Sequence, residues 1–383
     1  MSTKTRTEVL AELKKKYVHA GAQYRICLIN QAVELLGYHR KAAIRALNAK
    51  FSEKPAPAVR TGRPKEYHPD TLLVVLKPIW FAAQQPCGSR LVAMLPDWLP
   101  AYEADHRRLD ADVREALLRA SARTLDRLLK PLRVGLARRS ATRPGSLLRQ
   151  SIPIRGPWTE QGPGWLEMDT VAMCGGRLDD LHAWMLDTVD IRTDWIELRA
   201  LANRSQHSTL EQICDIEKSL PFALLGADSD NGGEFINHHL VRYFSQREKP
   251  VIFTRSRPYH KNDNAHVEQR NYTHVREHFG YERYDNPSVV PLINALCKGA
   301  LRIMHNHFLC SHKLQKKRRD AHKTTRIYGP AQSAYSRVMG TAEVDKSTKT
   351  RLQAEHAAHN PFELRREIEK QKKRIEAERL LRA

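Results

Sequence analysis

Three acidic residues have contexts that suit joint chemistry. Asp169 lies in Trp165-Leu166-Glu167-Met168-Asp169-Thr170, a run that alternates as a strand does, so that Trp165, Glu167, Asp169 and Val171 share one face. Asp230 lies in Asp228-Ser229-Asp230-Asn231-Gly232-Gly233-Glu234-Phe235, just beyond an apolar strand-like stretch. Gly232 and Gly233 permit a sharp turn there. Glu268 belongs to a helix expected to start near Asp263, one face of which carries Asn264 and Asn271. Carboxylates on separate elements, without a His/Cys ligand set, suit hard oxygen-seeking cations such as Mg²⁺. Two such ions roughly 3.5–4 Å apart can activate a nucleophilic oxygen and stabilise the leaving oxygen of a phosphodiester. Without metal, clustered carboxylates repel one another and are expected to be partly protonated. Asp228 and Glu234 read as ordinary acids, a turn former and a first-turn helix acid. Asp187 and Asp190 would replace Asp169 if the first strand were displaced; the Asp-Thr context favours Asp169. His305, His307, Cys310 and His312 form a second cluster, either a metal set or the polar end of a packed helix.

The elements that must position these acids begin at Gly164. Strands are expected over 165–173, 183–190 and 195–201, a helix over 208–220 and a fourth strand over 222–227. A helix over 233–246, a strand over 251–255 and long helices over 263–279 and 287–308 follow. The order β-β-β-α-β-α-β-α-α makes an α/β mixed sheet with crossover helices, whose strand ends are the natural place for a ligand.

Before this region the pattern is helical. Residues 1–51 read as three helices, with Gly37 before a basic third helix bearing Arg40, Lys41 and Arg45. That fits a helix-turn-helix DNA-binding module; a plain three-helix bundle with a solvated basic face gives the same pattern. Residues 52–68 form a basic, Pro-rich linker in which Gly62-Arg63-Pro64 either lays Arg63 into a minor groove or is a simple tether. Residues 69–137 form a second helical DNA-binding or spacer region, with Leu72, Val75, Leu76 and Ile79 along one helix. Ser121 caps another helix that carries Arg123 and Arg127, and Pro131 kinks or ends it. Residues 138–163 read as a second linker, 164–310 as the catalytic region, and 311–383 as a basic tail. The tail ends in a helix started by Asn360-Pro361-Phe362-Glu363 and expected to be solvated or DNA-facing.

Charge follows the same division. The 383 residues carry 64 Lys and Arg against 43 Asp and Glu, a net +21. Residues 1–160 hold +15, residues 161–280 hold −5 and residues 281–383 hold +11. Basic flanks around an acidic middle suit a polyanion gripped on either side of a carboxylate site. The longest apolar run, 72–83, is broken by Lys77 and Pro78 and is far short of the roughly 20 residues of a membrane span. The N-terminus carries no apolar signal core, and the six cysteines include no Cys-x-x-Cys pair. The expectation is a soluble protein of a reducing compartment, with no membrane partner and no structural zinc.

These motifs resemble the DDE transposases of bacterial insertion sequences, whose retroviral-integrase-type core has a ribonuclease-H-like fold. The resemblance rests on 165–170, on Ser229-Asp230-Asn231-Gly232-Gly233-Glu234-Phe235, and on the stretch from Ser256 to Asn271, and is strong over 164–310. Asp230 and Glu268 are separated by 37 residues, close to the family's usual gap. It implies that Asp169, Asp230 and Glu268 are a catalytic triad holding two Mg²⁺ or Mn²⁺ ions. It further implies that Tyr259, His260, Lys261 and Asn264 lie near the substrate strand, Lys261 contacting phosphate. The reaction so implied is nicking at the element ends, then attack of the freed 3′-hydroxyl on target DNA. Partners would be the double-stranded terminal repeats, target DNA and further copies of the chain in a multimer on DNA, in the bacterial cytoplasm or nucleoid. Two other readings share these features: a catalytically silent DNA-binding regulator derived from a transposase, and a ribonuclease-H-type nuclease.

Overall fold

The computed structural model describes residues 3–49, 67–132, 162–229, 232–235, 237–255, 271–320 and 323–381. The chain divides into two compact units, Met1–Glu66 and Tyr67–Ala383.

The first unit is a three-helix bundle of α1 (Thr3–His19), α2 (Ala22–Leu36) and α3 (Arg40–Asn48). Gly37, at φ +65°, caps α2 in the left-handed conformation and turns the chain toward α3. Leu13, Tyr17, Leu28, Ile29, Ala32, Leu36, Ala43 and Leu47 close its small core. Arg40, Lys41 and Arg45 of α3 are exposed.

The second unit is built on a five-stranded mixed sheet of order β3-β2-β1-β4-β5. Its strands are β1 (Trp165–Ala172), β2 (Trp184–Asp190), β3 (Ile196–Leu201), β4 (Gly226–Ser229) and β5 (Ile252–Arg255). Strands β1, β2 and β3 run antiparallel in turn, whereas β4 and β5 run parallel to β1. Leu166, Met168, Leu186 and Leu201 pack one sheet face against α8 (Gln206–Ser219) and α9 (His238–Ser245). Val171, Met185, Val189, Ile196 and Leu198 pack the other face into a larger core.

That larger core joins regions far apart in sequence. It takes Leu72, Leu76 and Ile79 from α4 (Pro69–Ala82), Leu91, Leu95 and Trp98 from α5 (Gly88–Asp105), and Leu125 and Leu129 from α7 (Ala122–Leu129), which follows α6 (Ala111–Arg119). Helix α10 (Tyr272–Arg276 continued by Glu277–Phe279) and helix α11 (Val289–Leu296, extended with widened turns over Cys297–Leu301 and Met304–Phe308) complete it on the sheet side. Gly88 admits the close crossing of α5 and α7: a Cβ there would lie 2.1 Å from the Ala122 carbonyl oxygen. Ser121 caps α7 as expected, accepting from Thr124 N at 3.2 Å, and α7 gives way at Leu129 to a tight turn, Lys130–Leu132, around Pro131.

Three expectations are corrected. The fourth strand is Gly226–Ser229, not 222–227, because it must pair with β1, where Trp165 meets Gly226. A Cβ at Gly226 would lie 2.1 Å from the Trp165 ring, so glycine fixes where that pairing starts. Helix α9 begins after Asn237, not at 233, because Asn237 Oδ1 accepts from Leu240 N at 2.9 Å and caps it there.

The third correction concerns the tail. After the short pair β6 (Cys310–Ser311) and β9 (Gln332–Ser333), which flank a hairpin of β7 (Leu314–Asp320) and β8 (Lys323–Tyr328), come α12 (Ala334–Met339), α13 (Lys346–Ala357) and α14 (Pro361–Leu380). Helix α14 is not a solvated helix: Phe362, Leu364, Ile368 and Ile375 are buried in the larger core, with Phe362 edge-on to Trp98 at 5.4 Å. Asn360 caps it as expected, accepting from Phe362 N at 2.8 Å. Among the described residues no helix is long and apolar enough to cross a membrane.

Candidate active site

The sheet face toward the larger core carries a band of acids. In register across the strands, Asp187 of β2 pairs with Asp169 of β1, and Glu167 of β1 pairs with Asp228 of β4, which pairs with Thr254 of β5. Glu167, Asp187 and Asp228 are buried, while Asp169 is half-buried. Charged groups survive burial only where polar partners meet them. Thr254 Oγ1 donates to Asp228 Oδ1 at 2.5 Å, and His274 Nδ1 lies 3.0 and 3.1 Å from the two oxygens of Asp187. That contact orients the imidazole toward Asp187.

Asp169 is held from two directions. Its Oδ1 accepts from Thr170 N at 2.8 Å, and its Oδ2 accepts from Asn271 Nδ2 at 2.6 Å. Asn271 immediately precedes α10, so this bond joins two sequence motifs 102 residues apart. Parallel pairing brings Met168 beside Ser229, the last residue of β4, and the next residue in sequence is Asp230. Thr170, on the opposite face from Asp169, donates through Oγ1 to Glu234 Oε1 at 2.7 Å. Arg204 Nε lies 3.3 Å from Glu234 Oε2 and stacks its guanidinium over the Trp184 ring at 4.5 Å.

Asp228 and Glu234 are therefore not the surface acids expected from their contexts. Asp228 is a strand residue and Glu234 precedes α9 by several positions; both are buried and paired. Sequence reasoning missed Arg204 and His274, which carried no local signal because their partners lie on other elements. Asp190 has a purely structural setting. Its oxygens accept from the backbone N of Gly164, Trp165 and Thr193 and from Thr193 Oγ1, at 2.6–3.0 Å. Burial pushes its carboxyl above the usual range against those bonds.

The His/Cys cluster disperses. His305 Nε2 lies 2.9 Å from His278 Nε2, His307 stacks on Tyr335 at 5.0 Å, and His312 Nε2 meets Ser89 Oγ at 2.9 Å. Burial pushes the Cys310 thiol up to about 11. These are the contacts of packed helix and strand ends, and no group of three or more His, Cys, Asp or Glu suited to a metal occurs among the described residues. Asp230 and Glu268, two of the three expected ligands, lie outside the described residues, as do Arg63, Tyr259, His260, Lys261 and Asn264. Arg123 and Arg127 are exposed on α7, one turn apart, opposite its apolar face of Leu125, Leu128 and Leu129.

No protein-family model matches the chain. Among solved structures, it is similar to the HTLV-2 integrase catalytic core domain in complex with magnesium, at 11% identity and a TM-score of 0.28, over 39% of this chain and 90% of that one. It is also similar to the catalytic core domain of BIV integrase, at 15% identity and a TM-score of 0.26, over 38% of this chain and 84% of that one. A protein of Sinorhizobium fredii described as uncharacterized protein y4rM is 33% identical over 338 residues, 86% of this chain and 94% of the relative. Identity at that level over nearly the whole of both sequences makes this chain a member of the y4rM family.

Proposed function

We propose that the chain is a DNA transposase that nicks the ends of an insertion sequence and joins the freed 3′-hydroxyl to target DNA. Asp169, Asp230 and Glu268 form its catalytic triad. One observation carries the reading: Asn271 Nδ2 donates to Asp169 Oδ2 at 2.6 Å. It ties the strand of the first motif to the residue that ends the third motif, three positions after Glu268. The strand order supports it, since a central β1 flanked by antiparallel β2 and parallel β4 is the ribonuclease-H-like arrangement and brings the carboxyl ends of β1 and β4 to one edge.

An oxygen-only donor set of Asp169, Asp230 and Glu268 suits divalent cations, Mg²⁺ or Mn²⁺. Asp169 offers only oxygen, and the nearby imidazole of His274 is turned to Asp187. When bound, such ions supply Lewis-acid stabilisation of the attacking and leaving oxygens of a phosphodiester. The protein's own residues do the positioning. Asn271 orients the Asp169 carboxylate, and Thr170 and Arg204 hold Glu234 of the second motif; Lys261, with Tyr259, His260 and Asn264, would meet the substrate strand's phosphate. Arg40, Lys41 and Arg45 of a helix-turn-helix bundle, Arg63 of the linker, and Arg123 and Arg127 of α7 bind the terminal repeats, with a multimer of the chain assembled on DNA in the cytoplasm.

The test is a plasmid carrying the element ends, incubated with purified protein and Mg²⁺. Wild type is expected to nick at the ends and Asp230→Asn to leave the plasmid intact. Equal nicking by the two proteins would refute the assignment.

A further inference from the structure

Helix α14 has two unlike faces. Phe362, Leu364, Ile368 and Ile375 lie in the larger core, so the helix is a fixed part of the second unit. The opposite side carries Arg366, Lys370, Lys373, Arg374 and Ala377, all exposed. At about 3.6 residues per turn these positions fall within an arc of about 100°. Four of the five are basic. The acids beside this arc are engaged by other partners. Glu369 meets Arg365 at 2.9 Å and Lys372 at 3.4 Å, and Glu376 meets Arg379 at 2.5 Å. Glu367 accepts from Gln371 Nε2 at 2.7 Å and lies 4.0 Å from Lys370. Lys373 and Arg374 have no acidic partner among the described residues.

The charge continues past the helix. Arg366 forks onto Asp105 at the end of α5, Nη1 to Oδ2 at 2.9 Å and Nη2 to Oδ1 at 2.6 Å. That hydrogen bonding holds the Asp105 carboxyl below its ordinary range and satisfies Arg366 within the protein. It also seats the loop after α5 beside the start of the basic arc. Arg107 and Arg108 of that loop are exposed, with no ion pair among the described residues. Arg107, Arg108, Lys370, Lys373 and Arg374 thus form a row of like charges on a fixed surface. Their mutual repulsion is relieved when a polyanion lies across them.

We infer that this side of α14, together with Arg107 and Arg108, is a docking surface for the phosphate backbone of duplex DNA. The choice of DNA as the polyanion rests on the transposase reading. From Arg366 to Arg374 the helix rises roughly 12 Å, and a duplex presents one phosphate charge per about 1.7 Å of its axis. Long basic side chains along that rise reach several phosphates at once. The contacts are to phosphate, so the surface adds affinity for any duplex and leaves base reading to other elements. A helix that lies in a membrane surface inserts large apolar side chains, and between Arg366 and Ala377 the exposed arc presents none.

The experiment is equilibrium binding of the full chain to a random-sequence duplex across a salt series, in EDTA so that cleavage plays no part. The variant is Lys370→Gln/Lys373→Gln/Arg374→Gln, which keeps good helix formers at exposed positions. A control, Lys218→Gln/Arg242→Gln/Lys249→Gln, removes the same charge from exposed residues of α8, α9 and the segment before β5. Losing three phosphate contacts is expected to lower the slope of log K against log salt by about 2–3 and to weaken binding at physiological salt at least about tenfold, equally for random and element-end duplexes. The control is expected to bind as wild type does. A milder Lys373→Gln/Arg374→Gln variant is expected to lower the slope by about 2, with unchanged thermal unfolding. Wild-type affinity and slope in the folded double variant would overturn the inference, as would an equal loss in the control. So would binding to phosphatidylserine vesicles that the triple variant loses while it still holds duplex as wild type does. Failure of the transposase reading would appear elsewhere, as absence of Mg²⁺-dependent nicking by wild type, and would leave the binding result interpretable.

Discussion

Asp187 stands directly across the β1–β2 ladder from Asp169, yet its two oxygens both face His274 Nδ1, at 3.0 and 3.1 Å. Two acids on one sheet face thus have different surroundings. Asp187 is fully buried and paired with a histidine, while Asp169 is half-buried and held by amide donors. Asp169→Asn is therefore expected to reduce strand cleavage by about a thousandfold, the loss of several kcal/mol of charge stabilisation. Asp187→Asn is expected to cost no more than about tenfold, with a loss of stability of about 1–3 kcal/mol. Single-turnover cleavage rates and urea unfolding of both variants check the division.

On the proposed reading Asn271 acts as a positioning residue, through its hydrogen bond to Asp169. Removing its amide in Asn271→Ala frees the Asp169 carboxylate to rotate, which is expected to lower cleavage by about 10–100-fold and to raise the Mg²⁺ concentration needed for half-maximal rate. Asn271→Asp places a second negative charge at the same 2.6 Å contact and should lose more, with part of the rate returning at lower pH as the pair takes up a proton. A metal titration of cleavage rate separates this role from a merely structural one, which would leave the metal requirement unchanged.

Helix α14 belongs to the core of the second unit. Ile368 is fully buried there, and Ile368→Ala is expected to cost about 2–5 kcal/mol of stability, against less than about 0.5 kcal/mol for an exposed helical site. Chemical denaturation of the full chain measures the difference.

Acid is expected to weaken the fold through His278. Burial first, and then the charge of His305, push its imidazole well below the ordinary value. Its Nε2 lies 2.8 Å from Gln84 Nε2 and 2.9 Å from His305 Nε2, while its Nδ1 is buried without a hydrogen bond. The unfolded chain therefore takes the proton first. Stability is intact above about pH 6.5 and falls as pH drops below it, by up to about 1.4 kcal/mol per pH unit per proton. Unfolding free energies between pH 7.5 and 5 should show His278→Gln with a shallower acid slope, by close to one proton.

Much of this was legible in the sequence, and what was not has physical causes. The strand with Asp169 and the apolar faces of α4 and α8 follow from period alone. The fourth strand was displaced because Leu224 and Leu225 look like strand while Gly226-Ala227-Asp228-Ser229 does not. Only the pairing with Trp165 and Thr254 makes those four residues a strand. Asp228 and Glu234 read as surface acids because an acid's burial depends on partners such as Thr254, Thr170 and Arg204, which lie on other elements. Helix α14 hid its contacts beneath its charge, although Pro361, Leu364, Ile368 and Ile375 already follow a three-four-seven spacing. Pro96 and Pro100 obscured α5, whose buried Leu91, Leu95, Trp98 and Tyr102 hold it on course through both prolines.

The most direct measurement is joining of a labelled element-end oligonucleotide to target DNA with Mg²⁺, for wild type and for Asp169→Asn, Asp230→Asn and Glu268→Gln separately. Joined product is expected with wild type, and a loss of about a thousandfold or more in each variant while duplex binding is retained. Joining by any of the three at near wild-type rate would contradict it.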